Sequence, residues 1–204
     1  MKLAIIGATG KTGSAVLRVA LDRGLVPTAI VRNAAKLTVS VPVIERDLFD
    51  LTPDDLRGFD VVICTFASAK KADYPRVNQH LTDLLKGTAT RLIVVGSGAT
   101  LYLDASRTKT VADQLPLIMR PASRAHVKAR QILESSGVNW TYVAPPYNYL
   151  PNAATTGRYQ TGSDVLLYDH THESTISYAD MALALVDEVQ HPHYEHRRMT
   201  VAWE

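Results

Sequence analysis

An α/β fold built on a doubly wound parallel sheet, with helices on both faces, is predicted by three features of the chain. Short apolar, β-branched runs such as DVVICTF and RLIVVGS recur, alternating with longer segments whose apolar residues return at helical spacing. These runs are apolar almost throughout instead of alternating with polar residues, so both faces of the sheet must be covered. The first run passes into its helix through Gly7, Gly10 and Gly13, three glycines three apart. No internal repeat or low-complexity stretch breaks the pattern, and residues 1–204 read as one domain.

The elements follow in order. KLAIIGA reads as a buried strand and SAVLRVALDRG as an amphipathic helix that Gly24 ends. PTAIVRN and VPVIERD are the second and third strands. TPDDLRGF offers Thr52 as an N-cap with Pro53 in the first helical position. DVVICTF is the fourth strand, residues 76–86 a helix, and RLIVVGS the fifth strand. A helix over 123–136 leads to the sixth strand, WTYVAPP. SYADMALALVDEVQ is the final helix, capped by Ser177, and MTVAW adds a last strand. Two long stretches, 98–121 and 145–174, carry no regular pattern and read as loops that cover a ligand.

Composition narrows the function classes. The chain is 46% apolar and 21% charged, ordinary for a globular protein. A net charge of +2 gives no electrostatic case for nucleic acid or an anionic membrane. No apolar stretch approaches the roughly 20 residues a membrane span needs. The lone cysteine, Cys64, sits in an apolar run, which excludes a disulfide within the chain and fits a reducing, cytoplasmic setting. Histidines cluster in DHTHES and HPHYEH without a third ligand at metal spacing, so they read as surface residues and no metal site is expected.

In a doubly wound sheet, ligands bind beyond the C-terminal ends of the strands, and the glycine loop lies there. Gly7 allows a tight turn, Gly10 a close backbone approach to a pyrophosphate, and Gly13 close packing of helix on sheet. Thr9 and Thr12 add hydroxyls and Lys11 a positive charge. This is the Rossmann-like arrangement for a dinucleotide. About 20 residues further on, an NAD-binding chain places Asp or Glu for the ribose 2′-hydroxyl. Here VRNAAK puts Arg32 at that strand end and Lys36 one helical turn later. A guanidinium suits a 2′-phosphate, so NADP(H) is expected over NAD(H).

GATGKTG, VRN and RDLFD, with HVKARQILESSGVNWTYVAPPYN, TTGRY and STISYADMALAL, resemble the atypical short-chain dehydrogenase/reductase group over nearly the whole chain. Within it, the chain is similar to the NmrA-like NAD(P)H-binding proteins that include biliverdin reductase B and bacterial NADH-flavin reductases. The resemblance implies that Asp47 and Leu48 border the adenine, and that Phe66 and Ala67 line the ribose and pyrophosphate. It further implies that Ser97, also a candidate catalytic residue, faces the nicotinamide ribose and that Pro145, Pro146 and Tyr147 abut the nicotinamide. Bilin-reducing members carry serine one position after Ser97, where this chain has Gly98.

The wider superfamily pairs tyrosine with a lysine four residues on, so that the lysine lowers the tyrosine pKa. None of the nine tyrosines here has lysine at that spacing. His126 and Arg130, four apart on a helix, are the substitutes: one a proton donor near neutral pH, the other a hold for an anion. Hydride transfer to a flavin or a related planar acceptor asks less of the protein, because water can supply the proton. Tyr102, Tyr147, Tyr149 and Tyr159, in the two long loops, offer an aromatic platform for a planar ring. The expected function is an NAD(P)H-dependent, flavin reductase-like enzyme. The alternative is an NADP(H)-binding redox sensor without turnover, and more remotely an isomerase or dehydratase.

Overall fold

In the computed structural model, which describes residues 1–204, strand β1 (Leu3–Ile6) is followed by helix α1 (Lys11–Asp22). All four β1 residues are buried. Leu3 and Ile5 join one apolar cluster and Ala4 and Ile6 the other, as the two-residue period of a strand covered on both faces demands. Next come β2 (Thr28–Val31), β3 (Val43–Glu45), a one-turn helix α2 (Pro53–Leu56) and β4 (Val61–Cys64). Thr52 and Asp55 form a reciprocal capping box at the start of α2, with Pro53 in its first turn.

Helix α3 (Asp73–Leu85) leads to β5 (Arg91–Val95), and the short α4 (Val111–Gln114) precedes α5 (Arg120–Ser135) and β6 (Trp140–Ala144). Three short strands follow, β7 (Asn148–Leu150), β8 (Tyr159–Gly162) and β9 (Thr175–Ser177). Helix α6 (Tyr178–Gln190) and strand β10 (Arg197–Trp203) complete the chain.

The main sheet runs β3-β2-β1-β4-β5-β6-β10-β8. Its first seven strands are parallel, and β8 closes the edge antiparallel to β10. Strand order reverses between β1 and β4, which creates the crevice where such sheets hold ligands. Helices α1 and α6 pack together over one face, burying Val16, Leu17, Met181 and Leu185. Helices α3 and α5 cover the other with Val77, Leu81 and Leu133. No helix is long and apolar enough to cross a membrane.

The structure corrects three sequence readings. Helix α3 begins at Asp73, not 76, and α5 at Arg120, not 123. In both cases a proline, Pro75 or Pro121, lies in the first turn, where a missing N–H costs nothing. The stretches 98–121 and 145–174 are not wholly irregular. The first contains α4, capped by Thr110 and Asp113, and the second contains β7 and β8. These strands are three and four residues long and half exposed, so they lack the apolar run that marks a strand in sequence. Arg198 of β10 ties the two stretches together. Its Nε donates to Asp164 (2.7 Å), its Nη1 to the Thr100 carbonyl (2.5 Å), and its guanidinium lies 5.2 Å from the Tyr102 ring centre.

Candidate functional site

The site is built where β1 hands over to α1. Gly7 adopts a left-handed φ of +80°, which any side chain would strain. A methyl at Gly13 would overlap the Gly7 carbonyl oxygen and come within 2.7 Å of Thr65 Oγ1, so the helix can approach the loop only without one. Gly10 differs: its φ is −79°, and a methyl there would meet only the Gly7 carbonyl oxygen, at 3.2 Å. Internal packing therefore accounts for Gly7 and Gly13 but presses only lightly on Gly10.

The α1 N-terminus is bare. Gly10 provides no side-chain cap and the first turn holds no acidic residue. Gly10 N–H closes the loop on the Gly7 carbonyl, and Ser14 N–H starts the helical ladder on Gly10. The N–H groups of Lys11, Thr12 and Gly13 between them have no backbone partner. Lys11 and Thr12 line a cleft of about 750 Å³ at the C-terminal ends of β1, β2 and β4, with Gly13 next in the chain. Gly7, Thr9, Gly10, Lys11, Thr12, Arg32, Lys36, Asp47, Leu48, Phe66 and Ala67 all line it. An unpaired helix N-terminus, Gly10 with space above it, and a basic rim suit a dinucleotide diphosphate.

Several side chains in the cleft have other employment. Asp47 caps the turn that follows it by accepting from Phe49 N–H (3.0 Å), while Leu48 is buried. Thr12 Oγ1 shares a 3.0 Å hydrogen bond with Tyr149 Oη, and the Tyr149 ring packs edge-on against Tyr178, which also lines the cleft. Sequence reasoning missed Thr65, Arg46 and Tyr178. Thr65 Oγ1 donates to the Ile6 carbonyl (2.9 Å) and holds the loop in place. Arg46 adds a third guanidinium or ammonium near Arg32 and Lys36, but Asp55 already engages it at 2.6 Å. A polar residue closing a buried strand was the available signal for Thr65. Tyr178 carried none, because only the fold brings the start of α6 to α1.

Ser97, Pro145, Pro146 and Tyr147 lie outside that cleft, beyond the ends of β5 and β6. Ser97 N–H donates to Tyr142 Oη (3.0 Å) and Ser97 Oγ accepts from Ala99 N–H (3.2 Å). A methyl at Gly98 would overlap the Pro145 carbonyl oxygen, so the two segments touch. A serine at that position would require them to separate. A methyl at Gly96 would strike the Tyr142 ring. Pro145 and Pro146 are buried and Tyr147 is 58% exposed.

His126 and Arg130 both have partners within the chain. His126 packs against Tyr74, ring centres 4.0 Å apart, with Nδ1 3.4 Å from Tyr142 Oη. Burial pushes its pKa down from 6.5 to about 4, so at neutral pH it has no imidazolium proton to give. Arg130 pairs with Glu134 on its own helix instead of standing free for an anion. Among the four loop tyrosines, Tyr102 lies under Arg198, Tyr149 bonds Thr12, and Tyr159 donates to Asp187. Only Tyr147 remains open to a ligand. A second concavity, about 610 Å³, runs between α3 and α5 among Lys71, Arg76, Arg124 and Lys128, and shares no residue with the cleft.

Comparison with known proteins agrees with this geometry. The sequence model of the NAD(P)H-binding family matches residues 7–192. The chain is 36% identical to the Bacillus subtilis protein YwnB, over 100% of this chain and 99% of that one. A crystal structure from Streptococcus pneumoniae, of a protein provisionally named an NADH-flavin reductase, superposes with a TM-score of 0.94 at 35% identity, covering 100% of both chains. A protein from Bacteroides thetaiotaomicron, provisionally named an epimerase, superposes at 0.87 with 28% identity over 99% of this chain and 96% of that one.

Proposed function

The chain belongs to the NAD(P)H-binding family, and on that premise we propose that it is an oxidoreductase that passes a hydride from NADPH to a flavin or a related planar acceptor. The observation that carries this reading is the bare N-terminus of α1 opening on a 750 Å³ cleft. The N–H groups of Lys11, Thr12 and Gly13 would bind the diphosphate, with the helix dipole adding favourable charge. Arg32 and Lys36, which make no ion pair in the chain, would hold an adenosine 2′-phosphate and so favour NADP(H). Ser97, Pro145 and Pro146 would bound the nicotinamide, and Tyr147 would offer its ring to a planar acceptor.

The bound dinucleotide supplies the hydride. The chain orients the two partners and contributes no evident acid: His126 is neutral, Arg130 is paired, and Tyr142 is buried with burial raising its pKa. An acceptor whose proton comes from water matches that arrangement, whereas a ketone awaiting a side-chain proton does not. The name carried by the Streptococcus pneumoniae relative supports the same acceptor class.

NADPH oxidation followed at 340 nm with FMN, riboflavin and a quinone tests the proposal. Turnover well above the buffer rate on a flavin is expected. Tight NADPH binding with no turnover on any of the three would replace it with a cofactor-sensing protein.

A further inference from the structure

We infer that the groove between α3 and α5 is a docking surface for an acidic, amphipathic helix of a partner protein. The groove, about 610 Å³, shares no residue with the cofactor cleft and stands apart from the reading above. Its α3 wall carries Lys71 and Arg76, its α5 wall carries Arg124 and Lys128, and no carboxylate lines it. Ala72, Ala125 and Ile132 supply apolar surface between the charges of each wall. Lys70 lines the cleft and Lys71 the groove, so a docked segment lies beside the mouth of the cleft.

The charge arrangement works against the helix that carries it. Arg120, Arg124 and Lys128 stand four apart on one face of α5, and no acid precedes Glu134. Like charges at that spacing repel, and cations in the first turns oppose the helix dipole. Elsewhere the chain pairs its surface cations, Arg23 with Asp187, Arg57 with Asp54 and Arg130 with Glu134. Arg76 reaches Asp73 at 3.4 Å and lies over the Phe49 ring. Lys71, Arg124 and Lys128 make no ion pair and are the free cations of the groove. A solvated helix face explains their exposure, but not their collection around apolar surface in a chain of net charge +2.

The shape selects the occupant. From Arg124 to Ile132 the α5 wall spans about two turns, on the order of 12 Å. A third helix can lie between two packed ones, with its apolar face on Ala72, Ala125 and Ile132. Carboxylates one turn apart on its flank then face Arg124 and Lys128. A second copy of this chain does not fit, because a two-fold contact sets these cations against themselves. An anionic bilayer meets the cations, and it can take up Leu117 and Ile118, 75% and 82% exposed in the turn before α5. A flat surface, however, leaves the apolar floor of the groove uncovered.

The probe is a fluorescein-labelled synthetic helix of about 16 residues, long enough to hold a helical form on docking. Alanine and leucine line one face and glutamate the flanks; in a control copy glutamine replaces every glutamate. Fluorescence anisotropy follows binding to the full chain in excess NADPH, which keeps the cleft occupied. A dissociation constant below about 100 µM is expected at low salt, rising with salt and at least about tenfold higher for the control copy. Arg124→Gln/Lys128→Gln should weaken binding at least about tenfold and leave NADPH affinity unchanged. Ala125→Leu and, from the exposed opposite wall, Gln79→Trp fill the groove without altering positive charge. Each should weaken binding at least about fivefold, which loose attraction between opposite charges does not predict. Circular dichroism checks that each variant folds. No binding to the wild type, or binding that the charge variant or both filling variants leave intact, would overturn the assignment. Capture by phosphatidylglycerol–phosphatidylcholine vesicles without binding of the peptide would replace it with a membrane-facing surface.

Discussion

Helices α1 and α6 pack side by side on one face of the sheet, yet their N-termini are opposites. At α6, Ser177 Oγ accepts from Asp180 N–H, and the fully buried Asp180 carboxylate gathers donors from three segments. It accepts from Thr155 Oγ1 (2.6 Å), from the N–H groups of Thr156 and Gly157, from Ser177 Oγ and from Trp203 Nε1 (2.7 Å). At α1 a glycine takes the cap position, and no acid or hydroxyl satisfies the first-turn N–H groups. A helix end saturated by its own chain is finished structure. One left bare at the mouth of a cleft is completed by a ligand.

The contrast can be broken from either side, and the largest effect should come from Gly13. Gly13→Ala forces a methyl onto the Gly7 carbonyl oxygen and Thr65 Oγ1. A loss of about 3 kcal/mol is expected from such overpacking, read from urea or thermal unfolding, and NADPH binding should go with it. Gly10→Ala should separate the two properties. Its φ of −79° suits alanine, so stability should change by less than about 1 kcal/mol while NADPH binding falls at least about tenfold. If Gly10→Ala binds NADPH normally, the diphosphate does not rest where the bare turn implies.

Asp180→Asn attacks the saturated end. Burial alone would raise this carboxyl's pKa, but the hydroxyls, amides and indole N–H that it accepts outweigh burial and lower it from 3.8 to about 2. A folded-state pKa below the unfolded one means stability that is full above about pH 4 and is lost as pH falls toward 2. The wild type should lose thermal stability across that window by an increment that Asp180→Asn lacks. At neutral pH the asparagine, which cannot satisfy all these donors, should cost about 2–3 kcal/mol. A variant as stable as the wild type at pH 7 would show that the network holds nothing in place.

This division also explains what could be read in the sequence. The parallel core was legible because β1, β4, β5 and β6 are buried on both faces, so their apolar runs stand out. The glycine loop was legible for a similar reason, since backbone constraint at Gly7 and Gly13 leaves a local signature. The Ser177 cap at α6 was equally local. The region beyond β5 and β6 was not. Its short strands and its Arg198 and Asp180 anchors join residues far apart in sequence, and no period records them. The surroundings of His126 were hidden for the same reason: its spacing from Arg130 is visible in the chain, but the Tyr74 and Tyr142 rings that bury it are not.

Smaller effects sharpen the comparison within the cleft itself. If Arg32 holds the 2′-phosphate as proposed, Arg32→Ala should weaken NADPH about tenfold and NADH less than about threefold, the loss of a charge-assisted bond on an exposed rim. Equal losses for the two cofactors would place Arg32 on the adenine or outside the site.

The smallest effect is expected at His126. A general acid contributes about 10²- to 10⁴-fold to a rate. A neutral imidazole packed behind Tyr142 contributes nothing of that kind, so flavin-dependent NADPH oxidation by His126→Asn should stay within about threefold of the wild type at pH 7. A loss of a hundredfold with NADPH affinity intact would return His126 to the reaction as its acid. The residue should declare itself in stability instead. Its folded pKa of about 4 lies below the ordinary 6.5, so the unfolded chain binds the proton more readily. Stability should decline as pH falls from about 6.5 to 4. His126→Asn should remove that part of the decline, because asparagine takes up no proton over the same range.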